Sequence, residues 1–309
     1  MCLRFYKPNY FMRAFAEVFF CFSRIVCGVI SVFPACFLVA DELPQQVESV
    51  SIADLRLQGI LSKQEGLYRR LESSQQSQNL SADYQEIEAV DTEYRSFILD
   101  NPDYIYGYIL YGKFLRSLGE YEKANEVFVK ANDINGGYAV IKQQIAAYLA
   151  EEGSFELALM YLNSAIELEP DVALYHFQMG QLLHTYRDQF IESGGLSSAL
   201  IGQQQFTAFA NAARLAPHNR TFQMRHAEAF FDLEDPDWTL ALQQWKALEH
   251  SCRDDMEWQL IQLQKCRVYV SLELYAEAER AVSRVDHHSL AFSAEKLRAL
   301  IFPDPVELP

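Results

Sequence analysis

A period of 34 residues runs through the middle of this 309-residue chain and constrains its fold more than any other feature. Gly119 and Gly153 are separated by this interval, and several further sets of side chains of matching size share it. These sets are Tyr121 and Phe155, Ala124 and Ala158, Phe128 and Leu162, Ala131 and Ala165, Tyr111, Ile145 and Met179, Gly112, Ala146 and Gly180, and Leu115, Leu149 and Leu183. Agreement of several residue classes at one period indicates a repeated helical hairpin, which buries its apolar face only by stacking on its neighbours.

Each residue class in the period has a physical role. Small residues such as Gly112 and Gly180 allow two helices to approach closely. Gly119 and Gly153 follow helices of about 14 residues, where a helix commonly ends in a left-handed conformation. Pro170 closes one repeat because proline cannot continue a helix. The pattern therefore predicts pairs of helices joined by short turns.

This spacing resembles the tetratricopeptide repeat (TPR), a helix–turn–helix unit of 34 residues. The resemblance is carried by the small residue of the first helix, by the Gly-x-aromatic-x-x-Ala turn beginning at Gly119 and Gly153, and by the late Ala and Pro. It covers roughly residues 83–286 and is clearest over 102–183. It implies an all-α fold, a right-handed superhelix (α-solenoid) of about five stacked hairpins with a C-terminal capping helix. It further implies a non-catalytic scaffold that binds a protein or peptide segment in a concave groove.

The period continues less regularly after residue 183. Phe209, Ala212 and Pro217 lie 47 residues after their counterparts, so the third repeat carries an insertion within 184–205, which we expect to lengthen both of its helices by about two turns. We expect two further repeats and a final helix at 289–301. The expected organisation is a signal peptide or N-terminal anchor at 1–40, an N-terminal helix and polar linker at 41–82, the solenoid at 83–301 and a tail at 302–309.

The N-terminal 40 residues have the pattern of a secretory signal. Four basic residues lie within 1–24, the apolar run 25–40 follows, and a polar segment begins at Asp41. Because spanning a bilayer takes about 20 apolar residues and this run is shorter, cleavage after Ala40 and a periplasmic or secreted product are favoured. The alternative is a protein anchored to the membrane by residues 25–40. Either Met1 or Met12 is compatible with being the true start.

The acidic balance of the chain bears on its partners. The formal net charge is −16, and residues 1–40 contribute +3, so the rest of the chain carries −19. A surface this negative repels phosphate groups, which argues against nucleic acid as a partner. We expect a protein or peptide partner, one with basic character being attracted most strongly, and no small-molecule substrate; solubility alone is the simpler explanation of the charge.

Catalytic and metal-binding motifs are missing from the sequence. It has no His-Glu-x-x-His, no Gly-rich phosphate loop and no Gly-x-Ser-x-Gly elbow. Only Cys252 and Cys266 follow the N-terminal 40 residues, at a separation that suits neither a disulfide framework nor a metal site. We therefore expect two separate thiols, no cofactor, no metal and no enzymatic activity.

The family resemblance also selects candidate binding residues, because the first helix of each repeat lines the concave side in TPR proteins. The positions that match this face are Ile109, Lys113, Arg116, Gln143, Ala147, Phe177, Gln181, His184, Met224, Glu228 and Arg267. The mixture of amides, apolar groups and both charges suits an extended peptide, although an ordinary solvated groove would look similar. The sequence thus favours an exported adaptor. The alternatives are a membrane-tethered structural subunit of an envelope assembly and an accessory domain of an envelope enzyme.

Overall fold

The structure is a computed structural model that describes residues 51–73 and 80–301. The predicted signal peptide, residues 74–79 of the polar linker and the predicted tail lie outside the described residues, so those predictions stay predictions. Within the described ranges every regular element is a helix and no strand occurs, which confirms the all-α prediction. The described residues divide into two units, 51–170 and 171–301.

The first unit consists of three helical hairpins. Its helices are α1 (Ile52–Ser73), α2 (Leu80–Asp100), α3 (Ile105–Ser117), α4 (Tyr121–Ile134), α5 (Ala139–Glu151) and α6 (Phe155–Leu168). Ion pairs show that α1 and α2 run antiparallel, since Arg56 near the start of α1 meets Asp100 at the end of α2, while Lys63 meets Glu93 farther along. The helix predicted upstream of the clear repeats is thus half of an additional hairpin, and α2 begins three residues before the expected start of the solenoid.

The core of this unit depends on the small residues of the period. A Cβ atom added at Gly112 would lie 2.6 Å from the ring of Phe128, which is buried between α3 and α4. A Cβ atom added at Gly107 would similarly lie 2.7 Å from the buried ring of Phe97. Glycine at these two positions therefore lets an aromatic ring pack directly against helix backbone, as the sequence pattern predicted for Gly112.

The turns inside the hairpins close as predicted. Gly119 and Gly153 have φ angles of +79° and +77°, in the left-handed region that favours glycine. The next residue after each glycine donates its backbone N–H back into the preceding helix, from Glu120 to Leu115 at 3.0 Å and from Ser154 to Leu149 at 2.8 Å. These bonds satisfy carbonyl groups that the helix end would otherwise leave without partners.

The second unit contains the insertion and the C-terminal cap. Its α-helices are α7 (Ala173–Thr185), α8 (Arg187–Glu192), α9 (Ser198–Leu215), α10 (Arg220–Glu228), α11 (Trp238–Glu249), α12 (Asp255–Ser271), α13 (Tyr275–Val282) and α14 (Ala291–Ile301). Short 3-10 helices cover Ala229–Asp232 and His288–Leu290. The predicted final helix is thus present, starting two residues late, and its Ala294 and Leu297 join one apolar cluster with Cys266 and Ala278.

The insertion lengthens the third repeat less regularly than the sequence predicted. The first helix ends at Thr185 and resumes as the separate six-residue α8. The second helix, α9, has 18 residues, about one turn more than the 14 of α4 and α6. Arg187 links α8 to α9, because its guanidinium donates to the hydroxyl of Ser198 at 2.9 Å and to the backbone carbonyl of that residue at 3.3 Å.

Polar N-caps begin four helices of the second unit, α9 to α12. Ser197, Asn219, Asp237 and Asp254 each accept a hydrogen bond from the backbone N–H three residues ahead, at 3.3, 3.2, 2.9 and 2.8 Å. Such caps satisfy exposed N–H groups and contribute about 1 kcal/mol each. They explain why α9 to α12 begin where they do although the 34-residue pattern has weakened in this part of the chain.

Candidate functional site on the first-helix faces

In the first unit, the predicted groove residues of α3 and α5 provide few free polar groups. Ile109 and Gln143 are buried, and Gln143 accepts a hydrogen bond from Gln144. Arg116 is half-buried, pairs with Glu151 at 2.6 Å and lies 5.4 Å from the ring of Tyr121.

The two remaining predicted positions in this unit both reach solvent. Lys113 is exposed on α3, and Ala147 is half-buried on α5. This face therefore offers Lys113 as its exposed cation and little other polar chemistry.

The second unit brings three predicted residues into one polar network. His184, Glu228 and Arg267 come from α7, α10 and α12, and the charge of Glu228 interacts with the other two. His184 and Arg267 also interact with the carboxylate of Asp232 at the end of the 3-10 helix. The His184 Nδ1 atom lies 3.5 Å from Asp232 Oδ2. We define the Asp232 cluster as His184, Gln205, Arg225, Glu228, Asp232 and Arg267.

Gln205 connects this cluster to the insertion. Its Nε2 atom lies 2.6 Å from Asp232 Oδ2 and 3.3 Å from His184 Nδ1. The side chain is fully buried, and its Oε1 atom has no hydrogen-bond partner among the described residues. A buried carbonyl oxygen without a hydrogen-bond donor costs free energy. The Oε1 atom of Gln205 is therefore an acceptor that no donor of the cluster satisfies.

Close backbone packing fixes the position of Asp232. A Cβ atom added at Gly202 of α9 would lie 2.7 Å from the backbone oxygen of Asp232, so only glycine permits this approach. Arg187 donates to the same backbone oxygen at 3.3 Å. The insertion therefore positions Asp232, because both Gly202 and Arg187 belong to the segment that lengthens the third repeat.

The two carboxylates of the cluster respond differently to their surroundings. Burial raises the pKa of Glu228 even though Arg225 lies 2.7 Å away and opposes the shift. Burial also acts to raise the pKa of Asp232, but the hydrogen bonds and charges of His184, Gln205 and Arg225 outweigh it and hold the pKa below its usual value. Asp232 is thus firmly ionised at neutral pH, while ionisation of Glu228 works against folding.

Arg267 is the exposed cation of the cluster. Its guanidinium lies 3.6 Å from the centre of the Phe231 ring and donates to Gln264 at 2.8 Å. No carboxylate of the described residues lies within 4 Å of it. Burial lowers the pKa of Arg267, against the opposing charges of Glu228 and Asp232, although the side chain remains accessible to solvent. An arginine that is both accessible and partly desolvated retains strong hydrogen-bonding capacity for a ligand.

Three further predicted residues of this unit are buried or half-buried. Phe177 is buried, with its ring 4.5 Å from that of Phe222 and 5.8 Å from that of Phe209. Met224 is also buried, in the apolar cluster around Trp245. Gln181 is half-buried. Sequence reasoning placed these residues on the first-helix face, but the structure shows Phe177 and Met224 to be part of the core.

Sequence reasoning missed Gln205, Arg225 and Asp232. Asp232 follows Glu228 by four residues, so a helical reading would have placed both on one face. Arg225 is three residues before Glu228, a spacing that also signals a pair. Gln205 had no such signal, since it lies at the end of an insertion that breaks the period.

The described part of the chain contains neither a grouped set of metal-binding side chains nor a helix that could span a membrane. Within residues 51–73 and 80–301, no three or more His, Cys, Asp or Glu side chains are grouped to hold a metal ion. No helix in those ranges combines the length and apolar character needed to cross a bilayer. Cys252 and Cys266 are free thiols, as predicted, and burial raises the pKa of Cys266 to about 11.

Comparison with known proteins identifies the fold. No protein-family model matches the sequence, and no curated protein matches it. Among solved structures, one match is YrrB, described as a TPR protein with an unusual peptide-binding site. The TM-score is 0.55 at 15% identity, and the match spans 66% of this chain and 97% of the YrrB chain. PilF of Pseudomonas aeruginosa has a TM-score of 0.53 at 13% identity, over 79% of this chain and 98% of that one.

A third structure agrees with these two. The C-terminal part of a TPR repeat-containing protein from Cytophaga hutchinsonii has a TM-score of 0.50 at 14% identity, over 78% of this chain and 97% of that one. At such low identities, a structural likeness establishes the fold and leaves activity and partners open. On the helical hairpins, the 34-residue period and these comparisons, the chain has the fold of the tetratricopeptide repeat proteins.

Proposed function

We propose that this protein is an exported, non-catalytic scaffold that binds a peptide segment of a partner protein on its first-helix faces. The Asp232 cluster is the polar anchor in the second unit. The observation that carries the proposal is Arg267, which is accessible, lies over the Phe231 ring and has no carboxylate partner within 4 Å among the described residues. An anchor of this kind fixes one polar group of a ligand in a defined orientation.

The chemistry of the cluster suits a peptide. The guanidinium of Arg267 can donate to a main-chain carbonyl or to a carboxylate, and His184 and Asp232 provide acceptors for main-chain N–H groups. Arg225 and Glu228 already pair with each other and hold the surrounding charge near balance. The TPR fold supports this proposal, and the peptide-binding site described for YrrB shows that a protein of similar fold can bind peptides.

Affinity capture with the full chain tests the proposal. Arg267→Ala should lose the partner that the unchanged chain captures, because it removes the accessible donor group. Arg280→Ala is the matched control, since it removes the same charge from an exposed position on α13. Circular dichroism should show that both variants keep their helical content. Equal capture by all three chains would remove the Asp232 cluster from the binding site.

Export is a separate part of the proposal and rests on the sequence pattern of residues 1–40. N-terminal sequencing of the protein isolated from its host should find a first residue near Asp41 and no membrane association. An intact N-terminus in the membrane fraction would contradict cleavage and would favour the tethered structural subunit.

A further inference from the structure

The helix α6 carries an apolar stripe on its solvent face. Leu157, Met160 and Leu168 are 49%, 64% and 42% exposed. Spacings of three and eight residues place the three side chains along one face of a helix. Opposite them, Ala158, Leu162 and Ala165 are buried. Because that face already supplies the core contacts of α6, the solvent stripe is not explained by packing within the hairpin.

Two neighbouring helices, α4 and α9, do not carry this stripe. The residues 34 positions before Leu157 and Met160 are Lys123 and Glu126 of α4, and those 47 positions after are Gln204 and Thr207 of α9. The third position is apolar in all three helices, as Ile134, Leu168 and Leu215. Leu157 and Met160 therefore depart from α4 and α9, which have polar side chains at the equivalent positions.

The margin of the stripe is acidic. The segment 151–171 contains six acidic residues and no lysine or arginine. Glu152, Glu156 and Glu167 are exposed, and none of them forms an ion pair with a described residue. Glu156 and Glu167 lie beside the stripe on α6, since they are four residues before and seven residues after Met160. Elsewhere in the first unit, acidic residues such as Glu93 and Glu120 are balanced by a lysine.

These observations define the chemistry of an occupant. We infer that the solvent face of α6 docks a basic amphipathic helix of a partner protein. Leu157, Met160 and Leu168 would contact its apolar face, and the acidic margin would pair with its lysines or arginines. Docking of an amphipathic helix through apolar anchors at helical spacing is an established mode of recognition, and opposite charge at the rim favours encounter and register.

A second copy of this chain fits the surface less well. Two α6 helices facing each other would bring Glu156 and Glu167 of one copy against the same residues of the other. Like charges in such proximity oppose association. Three side chains are also few for an interface between two folded proteins, which buries about 800 Å² on each partner.

A synthetic peptide provides the test. The probe is an amphipathic peptide of about 18 residues, with leucine at helical spacing and lysine elsewhere, labelled for fluorescence anisotropy. It should bind the full chain, and the double variant Leu157→Gln, Met160→Gln should bind at least about tenfold more weakly, because loss of apolar burial costs more than 1.4 kcal/mol. Both side chains are exposed, so the variant should keep the circular dichroism spectrum of the unchanged chain.

Two controls separate the stripe from general attraction to an acidic protein. Leu240→Gln changes an exposed leucine of α11 and should leave peptide affinity unchanged. Arg280→Ala removes an exposed charge from α13 and should also leave it unchanged. The stripe belongs to the first unit and the Asp232 cluster to the second, so this inference stands or falls independently of the proposed peptide site.

Three results would overturn the inference. The first is equal peptide affinity of the double variant and the unchanged chain, which would assign binding to charge alone. The second is equally tight binding of a peptide with glutamate in place of lysine. The third is a dimer in analytical ultracentrifugation that the double variant dissociates, which would identify a second copy as the occupant.

Discussion

Glu273 shows how one residue departs from the pattern that shapes the rest of the chain. It has a φ angle of +59°, in the turn between α12 and α13. Its N–H and that of Leu274 make the same backward hydrogen bonds, to Val270 and Tyr269, that close the turns at Gly119 and Gly153. The repeat therefore imposes a left-handed conformation on a residue whose side chain disfavours it.

Replacing this residue should stabilise the protein. Glu273→Gly should raise the free energy of unfolding by about 1 kcal/mol, because glycine adopts the left-handed region without a steric penalty. Chemical denaturation monitored by circular dichroism provides the measurement. Glu273→Ala is the control: it removes the charge but keeps the Cβ atom, so it should give little of the gain.

Glu228 should make stability depend on pH. A carboxyl group whose pKa is raised by folding binds its proton more tightly in the folded protein. The stabilisation from Glu228 is therefore complete below its unfolded pKa, near 4.5, and is lost as pH rises through the higher folded value. Denaturation curves between about pH 4 and pH 7 should show that Glu228→Gln removes part of this decline.

A glutamate outside the cluster separates this effect from a general change of charge. Glu295→Gln removes one exposed carboxylate from α14 and should leave the pH dependence of unfolding as it is in the unchanged chain. If the free energy of unfolding of Glu228→Gln fell with pH as steeply as that of the unchanged chain, the burial argument for Glu228 would be contradicted.

At the scale of the element, the helix pairs depend on close approach at defined glycines. Gly112 and Gly180 occupy equivalent positions in α3 and α7, and a Cβ atom at either would lie 2.6 Å from a phenylalanine ring. Gly66 in α1 differs, since nothing lies within 4 Å of a Cβ atom built there. The same residue type thus serves packing in two helices and has no such role in a third.

Alanine substitution should distinguish these cases. Gly112→Ala should destabilise the protein by about 1–3 kcal/mol, because the buried ring of Phe128 must move. Gly66→Ala should instead stabilise it by up to about 1 kcal/mol, since alanine favours a helix interior over glycine. Thermal or chemical denaturation of the two variants gives the comparison, and equal effects would contradict the packing role of Gly112.

Prediction of the elements was most successful where the period is regular. Matched glycines, alanines and aromatic residues between 102 and 183 fixed the helices and turns, because each class has one steric role in a hairpin. The short α10 and the 3-10 helix that follows were not predicted as such. The backbone of Asp232 lies against Gly202 at this break, a contact between separate segments that no local sequence pattern records.

At the scale of the whole molecule, charge is the dominant property. The chain has 42 acidic and 26 basic side chains. Ion pairs such as Arg56–Asp100 and Arg69–Glu65 are largely exposed, and pairs of that kind contribute about 0–1 kcal/mol each. Repulsion among the excess carboxylates therefore opposes folding. It acts over longer distances than the attraction within each ion pair.

Salt should consequently stabilise this protein. The screening length falls from about 30 Å at 0.01 M ionic strength to about 10 Å at 0.1 M, which weakens long-range repulsion more than short ion pairs. The free energy of unfolding in urea, a neutral denaturant, should rise as sodium chloride is added over this range. A fall in stability would show that the ion pairs outweigh the repulsion.

The sequence by itself determined the helical class, the hairpin turns at Gly119 and Gly153 and the C-terminal helix. These features follow from local sterics and from the helical period, and both depend on the order of residues along the chain. Only the tertiary structure decided that Asp232 and Gln205 complete the cluster, that Phe177 is buried and that Leu157 and Met160 stay exposed. Those outcomes depend on how closely separate helices approach one another, and side-chain spacing along the chain does not encode that distance.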